Sequence, residues 1–150
     1  MEAWRLATID VGSNTVLLLI AEIVDNRVHR IIEDHAEITR LGARVGRDAQ
    51  LTPQAQQRTL DVLEVYTARC KEIGAREIRA AGTSALREAK NAQNFIADIK
   101  QNLGLEIRVL SPKGEANLSY HAVRVGLELH SKELLVVDIG GGSTEFIWGR

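Results

Sequence analysis

Two glycine-led turns, each preceded by an aspartate, are the segments of this sequence best suited to binding phosphate. The first lies in the run IDVGSNT, which begins at Ile9, and the second lies in VDIGGGST, which begins at Val137. Glycine leaves backbone N–H groups open to close approach, and successive N–H groups can form a concave anion site. The hydroxyl groups that follow add donors. The two runs therefore predict two halves of one phosphate site.

The aspartate at each turn adds a place for a hard cation. Mg²⁺ prefers oxygen ligands and bridges phosphate groups, so we expect Asp10 and Asp138 to be metal ligands and Mg²⁺ to be the cofactor. The first turn alone is more typical of a plain hairpin, and its pairing with a second turn is what indicates a site. The predicted phosphate-binding residues are Gly12, Ser13, Asn14 and Thr15 in the first turn and Gly140, Gly141, Gly142 and Ser143 in the second.

Attack on a phosphate chain also needs a base that orients water, and cations that neutralise the phosphates. Glu115 follows a proline and glycine break at the predicted start of a helix, so it is the candidate base. Arg87, Lys90 and Arg40 lie near glycine-containing loops and are candidate cations. Each has a plainer interpretation, because an acid at a helix start stabilises the helix dipole and charges on helices commonly face solvent.

Hydrophobic periodicity predicts the elements that position these residues. Three strands are followed by alternating helices and strands, an order that favours an α/β fold with a mixed sheet and helices on both faces. This order matches the ribonuclease H-like domain of the actin, sugar-kinase and Hsp70 superfamily. The predicted strands are 5–10, 15–24, 27–38, 77–81, 106–110 and 134–138. The helices start at Thr52–Pro53, before Ala92 and at Glu115, and the first of them ends near Gly74. Residues 40–48 and 82–84 are predicted loops.

The distance between the two turns indicates an internal duplication. The two aspartates are about one small domain apart, which excludes a short-period repeat. We expect a first ribonuclease H-like domain at residues 1–130 and the start of a similar second domain at 131–150. The second unit has only its first hairpin and cannot close a core by itself. We therefore expect the chain to be a fragment, or to complete this unit from another chain.

The composition is that of an ordinary globular domain. The 150 residues are 45% hydrophobic, and the formal net charge of −1 produces no overall field that would attract polyanions. The longest apolar run is too short to cross a bilayer, and no stripe of basic and aromatic residues indicates nucleic acid, so neither partner is expected. The single cysteine, Cys70, fits a reducing compartment, and the expected location is cytoplasmic.

Five motifs, in order and covering nearly all of the chain, resemble the exopolyphosphatase / guanosine pentaphosphate phosphohydrolase family: IDVGSNT, RLG, AAGTSALREAKN, SPKGEANLSYHAV and VVDIGGGSTEF. The resemblance implies release of the terminal phosphate of polyphosphate, or of the 5′-phosphate of guanosine pentaphosphate, with Mg²⁺ in a cleft between two domains. It also implies that Glu115 is the general base, that Asp138 and Glu145 are tied to the metal and the attacking water, and that Arg87 contacts phosphate.

One motif departs from the family pattern. The family usually reads Ser-Gly-x-Glu-Glu-Ala where this chain has SPKGEA, so Pro112 replaces a glycine and Gly114 replaces the first glutamate. Proline restricts the turn that aims Glu115. These changes favour an alternative, a non-catalytic module that binds polyphosphate or guanosine tetra- or pentaphosphate. A kinase or ATPase of the same superfamily is a second alternative, against which the segments around Glu115 and from Thr83 to Lys90 argue.

The apolar hairpin at residues 134–148 leads to an expectation about assembly. Left exposed, it would form an aggregation-prone surface. We expect it to pack on a neighbouring copy of the chain, giving a homo-oligomer. In that arrangement the first turn faces solvent without the second turn of the same chain opposite it, and the fragment alone is inactive.

Overall fold

The computed structural model describes residues 2–43, 45, 49–127, 129 and 133–149. The part of the loop predicted at 40–48 that falls on 44 and 46–48, and the domain boundary at 130/131, lie outside the described residues. The strands are β1 (Trp4–Val11), β2 (Thr15–Val24), β3 (Arg27–Ile38), β4 (Glu77–Gly82), β5 (Ile107–Val109), β6 (Leu134–Ile139) and β7 (Thr144–Gly149). The helices are α1 (Pro53–Ile73), α2 (Ser84–Glu88), α3 (Ala92–Leu103) and α4 (Pro112–Gly126).

Strands β1 to β5 form one mixed sheet in the order β3-β2-β1-β4-β5. The β1–β2 and β2–β3 pairs are antiparallel, and the β1–β4 and β4–β5 pairs are parallel. The expected ribonuclease H-like mixed sheet is confirmed. Because β1 and β4 are parallel neighbours, their carboxyl ends lie at the same edge, which brings Asp10 next to the segment that follows β4.

Burial alternates along the central strand. Ala7 and Ile9 are almost fully buried, whereas Thr8 between them is exposed. The buried face packs under α1 and α3, which contribute Leu63 and Ile99 to the same core. This period of two gives one face of the sheet an apolar core and orients Asp10 away from it.

Helix ends follow the capping residues. The Thr52 hydroxyl accepts a hydrogen bond from the Ala55 N–H at 3.3 Å, and α1 ends before Gly74, whose φ is 73°. These predicted boundaries of α1 are confirmed. Gly74 is required there because a left-handed residue ends the helix without a steric penalty. Within the described ranges, no helix has the length and apolar character that a membrane crossing requires.

Two predicted boundaries are wrong, and both involve helix starts. Helix α4 begins at Pro112 and not at Glu115, because the Ser111 hydroxyl accepts from the Gly114 N–H at 3.1 Å and caps the first turn. Proline suits the first helical position, where its missing N–H has no partner to lose. Helix α2 begins at Ser84, within the predicted 82–84 loop.

Strands β6 and β7 form a separate antiparallel hairpin that packs against α4. Val136 is buried, while Val137 and Phe146 on the outer face are exposed. A Cβ at Gly149 would lie 2.6 Å from the Tyr120 ring, so the hairpin and α4 are in close contact. The expectation that the first turn lacks the second turn of its own chain is therefore wrong: α4 holds the hairpin beside the first unit.

Candidate active site

The two glycine-led turns face each other across a cavity of about 500 Å³. Among the residues predicted for the site, Arg87, Glu145 and the candidate cations Arg40 and Lys90 do not line this cavity. Two apolar residues and two residues with hydroxyl groups, which were not predicted, also line the cavity. The lining consists of Asp10, Gly12, Ser13, Asn14, Thr15, Leu17, Thr83, Ser84, Glu115, Asp138, Ile139, Gly140, Gly141, Gly142 and Ser143.

Each of the two turns is closed by an equivalent backbone hydrogen bond. The Gly12 N–H donates to the Thr15 carbonyl at 3.0 Å, and the Gly140 N–H donates to the Ser143 carbonyl at 2.9 Å. None of the residues of the two turns has a positive φ. The requirement at Gly12 is space: a Cβ there would lie 2.8 Å from the Thr15 carbonyl oxygen.

The glycines of the second turn allow it to lie directly on the first. A Cβ at Gly141 would be 2.7 Å from the Asn14 Cβ. A Cβ at Gly142 would be 2.5 Å from the Ser84 Oγ and 2.7 Å from the Ser13 Oγ. Atoms essentially never approach so closely, so a side chain at either position would push the turns apart.

Ser13 ties the first turn to the surrounding structure. Its hydroxyl is 2.7 Å from the Ser84 hydroxyl and accepts the Ala85 N–H at 3.1 Å. Its carbonyl accepts the Gly42 N–H at 2.7 Å. The Asn14 carbonyl accepts two more N–H groups, whereas the Asn14 side chain is exposed. Of the two side chains, Asn14 is therefore the more accessible to a ligand, since its amide makes only a long 3.5 Å contact with Thr15 Oγ1.

Asp10 is a partly buried carboxyl group close to two other carboxylates. Burial, followed by the charges of Glu115 and Asp138, raises its pKa from 3.8 to about 6. Its Oδ1 is buried, and among the described residues no group hydrogen-bonds to it. A buried carboxylate oxygen without a donor is the kind of group that a cation stabilises.

Glu115 is held from behind by Arg87. One guanidinium nitrogen of Arg87, Nη1, donates to Glu115 Oε2 at 2.9 Å and to the Leu110 carbonyl at 2.8 Å. Both side chains are mostly buried, with 21% and 15% of their surface exposed. Arg87 thus reaches the site through Glu115, and the predicted contact with phosphate stays a prediction.

Asp138 and Glu145 are neighbours on the second hairpin. They are directly opposite in the β6–β7 register, so their side chains share one face. Asp138 lines the cavity and Glu145 does not. The Ser119 hydroxyl of α4 donates to Asp138 Oδ2 at 2.7 Å.

Sequence reasoning assigned no role to Thr83, Ser84 or Ser119. A signal existed for Thr83 and Ser84, since they directly follow β4, and polar residues after neighbouring parallel strands gather at one edge. No comparable signal pointed to Ser119, because its partner is on a separate hairpin and the contact depends on how α4 packs against it.

The residues present fit a magnesium ion, although they form no complete protein cage. Among the described residues, no three His, Cys, Asp or Glu side chains are grouped closely enough to hold a metal ion by themselves. Mg²⁺ does not need such a group, since it is commonly bound by one or two carboxylates together with water and substrate phosphates. Asp10 and Asp138 on facing turns, with Asp10 Oδ1 lacking a donor, meet this requirement.

The fold and the site define a domain of ribonuclease H-like architecture, in which two glycine-led turns meet over carboxylates. The model of the Ppx/GppA phosphatase family matches residues 19–150. This chain therefore belongs to the Ppx/GppA phosphatase family, as the five motifs predicted.

Named relatives agree with this assignment. The guanosine-5′-triphosphate,3′-diphosphate pyrophosphatase of Vibrio cholerae is 38% identical over 148 residues, which cover 96% of this chain and 29% of the relative. The Ppx/GppA family member of Aquifex aeolicus is 37% identical with a TM-score of 0.86, covering 99% of this chain and 48% of that structure. An exopolyphosphatase from Cytophaga hutchinsonii is 34% identical with a TM-score of 0.91, covering 97% and 46%.

The chain spans less than half the length of these relatives. A more distant structure, the ethanolamine utilization protein EutJ from Carboxydothermus hydrogenoformans, is 16% identical with a TM-score of 0.53. At this identity the likeness concerns the fold alone.

Proposed function

We propose that the protein is a hydrolase that releases the terminal phosphate of inorganic polyphosphate or of guanosine pentaphosphate. The observation that carries the proposal is the convergence of three carboxylates, Asp10, Glu115 and Asp138, on a cavity between two glycine-led turns. The relatives' names, a guanosine pentaphosphate pyrophosphatase and an exopolyphosphatase, support this class of substrate.

Each part of the site has a role in this proposal. The open backbone of residues 140–142 and the Asn14 side chain bind the phosphate oxygens. Glu115, held by Arg87, orients the attacking water and accepts its proton. Asp10 and Asp138 would hold Mg²⁺, which when bound neutralises phosphate charge. Glu145, across from Asp138, is proposed to support the same water.

The two substitutions in the SPKGEA segment leave Glu115 at the cavity. Pro112 occupies the first position of α4, and the Ser111 cap is intact. Glu115 lines the cavity despite the loss of the neighbouring acid at Gly114. Only the loss of the acid at Gly114 therefore still favours the alternative of a non-catalytic binding module. The kinase or ATPase alternative has no separate observation behind it.

Substituting Glu115→Gln in the full-length protein tests the proposal. Polyphosphate binding should persist, and phosphate release should fall about 10²–10⁴-fold because the base is lost. Phosphate release from polyphosphate, guanosine pentaphosphate and ATP is measured with Mg²⁺ present. Glu88→Gln, an exposed glutamate on α2, is the matched control and should behave like the parent.

Three outcomes would contradict the proposal. Turnover within about threefold of the parent would remove Glu115 as the base, given the usual size of base catalysis. A parent protein that binds polyphosphate without releasing phosphate would be a binding module. Release from ATP alone would instead favour the ATPase alternative.

The expected homo-oligomer and cytoplasmic location are also proposals. Exposed Leu135, Val137 and Phe146 on the outer face of the hairpin support self-association of this 150-residue chain, which sedimentation of residues 1–150 would measure. The single, buried Cys70 supports a reducing compartment.

A further inference from the structure

Helix α4 carries two side chains, one turn apart, that reach the two halves of the site. Glu115 and Ser119 are separated by four residues, so they lie on the same face of the helix. Glu115 contacts Arg87 of the first unit, and Ser119 contacts Asp138 of the hairpin. One rigid helix thus connects the proposed base to the proposed metal ligand.

The Ser119 contact is strong and directional. A hydroxyl that donates to a carboxylate forms a charge-assisted hydrogen bond, and the 2.7 Å distance between Ser119 Oγ and Asp138 Oδ2 fits one. Since Ser119 is only partly exposed, water does not freely replace it. The bond occupies one carboxylate oxygen and limits rotation of the side chain, which leaves the other oxygen for the cavity that Asp138 lines.

The surroundings of Asp138 make this restraint important. Asp138 lies on a two-stranded hairpin rather than within the five-stranded sheet, and α4 is the helix that packs against both of its strands. The direction of the Asp138 carboxylate therefore depends in part on α4, and Ser119 supplies the hydrogen bond between them.

We propose that Ser119 is a positioning residue, which orients Asp138 toward the phosphate-bound cation at a defined spacing from Glu115. The inference rests on the proposed function, because it assigns Asp138 to the metal. Ser119 itself touches neither substrate nor water in this role. It acts through Asp138, so its loss weakens the Mg²⁺-dependent part of binding and leaves the contacts of the two turns with phosphate intact.

The test compares polyphosphate binding in full-length protein that carries Glu115→Gln, so that bound substrate is not consumed. Adding Ser119→Ala should weaken binding about tenfold with Mg²⁺ present, the effect of one hydrogen bond to a charged group. In EDTA the two proteins should bind equally. Ser119→Thr keeps the hydroxyl and should restore the affinity. Asn117→Ala, an exposed polar residue on the same helix, should match the parent.

Three results would overturn the inference. One is equal affinity with and without Ser119 in Mg²⁺, and another is an equal loss in both Mg²⁺ and EDTA. The third is a failure of Ser119→Thr to rescue when its melting temperature matches the parent. Failure of the proposed function has a different signature: protein with native Glu115 would release no phosphate, whatever the binding comparison shows.

Discussion

The two glycine-led turns are closed by equivalent backbone hydrogen bonds but differ in their side chains. At the positions where the first turn has Ser13 and Asn14, the second has Gly141 and Gly142. The hydrogen bond that closes each turn is retained, at 3.0 and 2.9 Å. The side chains of one turn lie where a Cβ of the other would be. The two turns are therefore complementary: the side chains of the first occupy the space that the glycines of the second leave open, which lets the turns meet closely.

The strands behind the turns differ in the same way. The residue opposite Asp10 is Leu17, whereas the residue opposite Asp138 is Glu145. Asp10 belongs to the five-stranded sheet and is desolvated, with a pKa of about 6. Asp138 lies on the two-stranded hairpin beside a hydroxyl and a second carboxylate. The first unit therefore provides most of the polar side chains that line the cavity, and the second provides the open backbone of its glycines together with Asp138 and Ser143.

Gly142→Ala should have the largest effect on this complementarity. The new Cβ would overlap the hydrogen-bonded pair of Ser13 and Ser84 hydroxyls, so the second turn would move away from the first. Such a displacement of about 1 Å in a site can lower activity about 10²-fold. Phosphate release and the melting temperature of the full-length protein are measured together, and the melting temperature should change little.

Gly126→Ala is the matched control, because a Cβ at that position meets no atom within 4 Å. It lies at the end of α4, and removing glycine there should stabilise the protein slightly, by about 0.5–1 kcal/mol. If Gly142→Ala retained parental activity, a side chain at this position of the second turn would be tolerated, and the claim that the two turns must be complementary would be wrong.

Ser13→Ala should have an intermediate effect, on stability rather than on chemistry. The substitution leaves the buried Ala85 N–H and the Ser84 hydroxyl without their partner. An unsatisfied buried polar group costs about 1–3 kcal/mol, so the free energy of unfolding should fall by that amount. Urea denaturation measures it, with Thr8→Ala, an exposed residue of the same sheet, as the control. An unchanged unfolding midpoint would mean that the first turn is not anchored through Ser13.

Asp10→Asn should have the smallest effect, and it depends on pH. Because the folded state raises the Asp10 pKa from 3.8 to about 6, folded protein binds the proton more tightly, and stability is lost as pH rises through this range. The loss is complete about one pH unit above 6, and the pKa difference corresponds to about 3 kcal/mol. Because Asp10 is only partly buried, we expect the variant to be more stable than the parent by about 1–2 kcal/mol. Near pH 4 the two should converge.

Urea denaturation between pH 4 and 8 in EDTA checks this prediction. Asp34→Asn, at an exposed position on β3, serves as the control and should follow the parent's pH profile. Parallel profiles for Asp10→Asn and the parent would mean that burial does not raise the Asp10 pKa, which contradicts the description of Asp10 as a desolvated carboxyl group.

Local sequence signals predicted the ends of an element well where a single capping residue determines where the element begins or ends. Thr52, Pro53 and Gly74 define both ends of α1, and the bounds of β2 and β3 follow from their turns. The start of α4 was missed because Ser111 and Pro112 were interpreted as a break, although the same residue types begin α1 correctly.

The site was predictable as a set of residues but not as a geometry. Asp10, Glu115 and Asp138 were identified from their motifs, and the cavity brings them together. The need for glycine at Gly142 depends on two serines from other parts of the chain, which no local pattern reveals. The same holds for Arg87, whose partner Glu115 is supplied by another helix.

The position of β1 at the centre of its sheet also has a consequence for folding kinetics. Its antiparallel partner β2 follows after a short turn, so this pairing closes quickly, whereas its parallel partner β4 requires a long loop to close first. The Ser13–Ser84 hydrogen bond joins residues 71 positions apart and depends on that slower step. The first turn therefore forms early as a hairpin and acquires its final anchoring late, after α1 and β4 have docked.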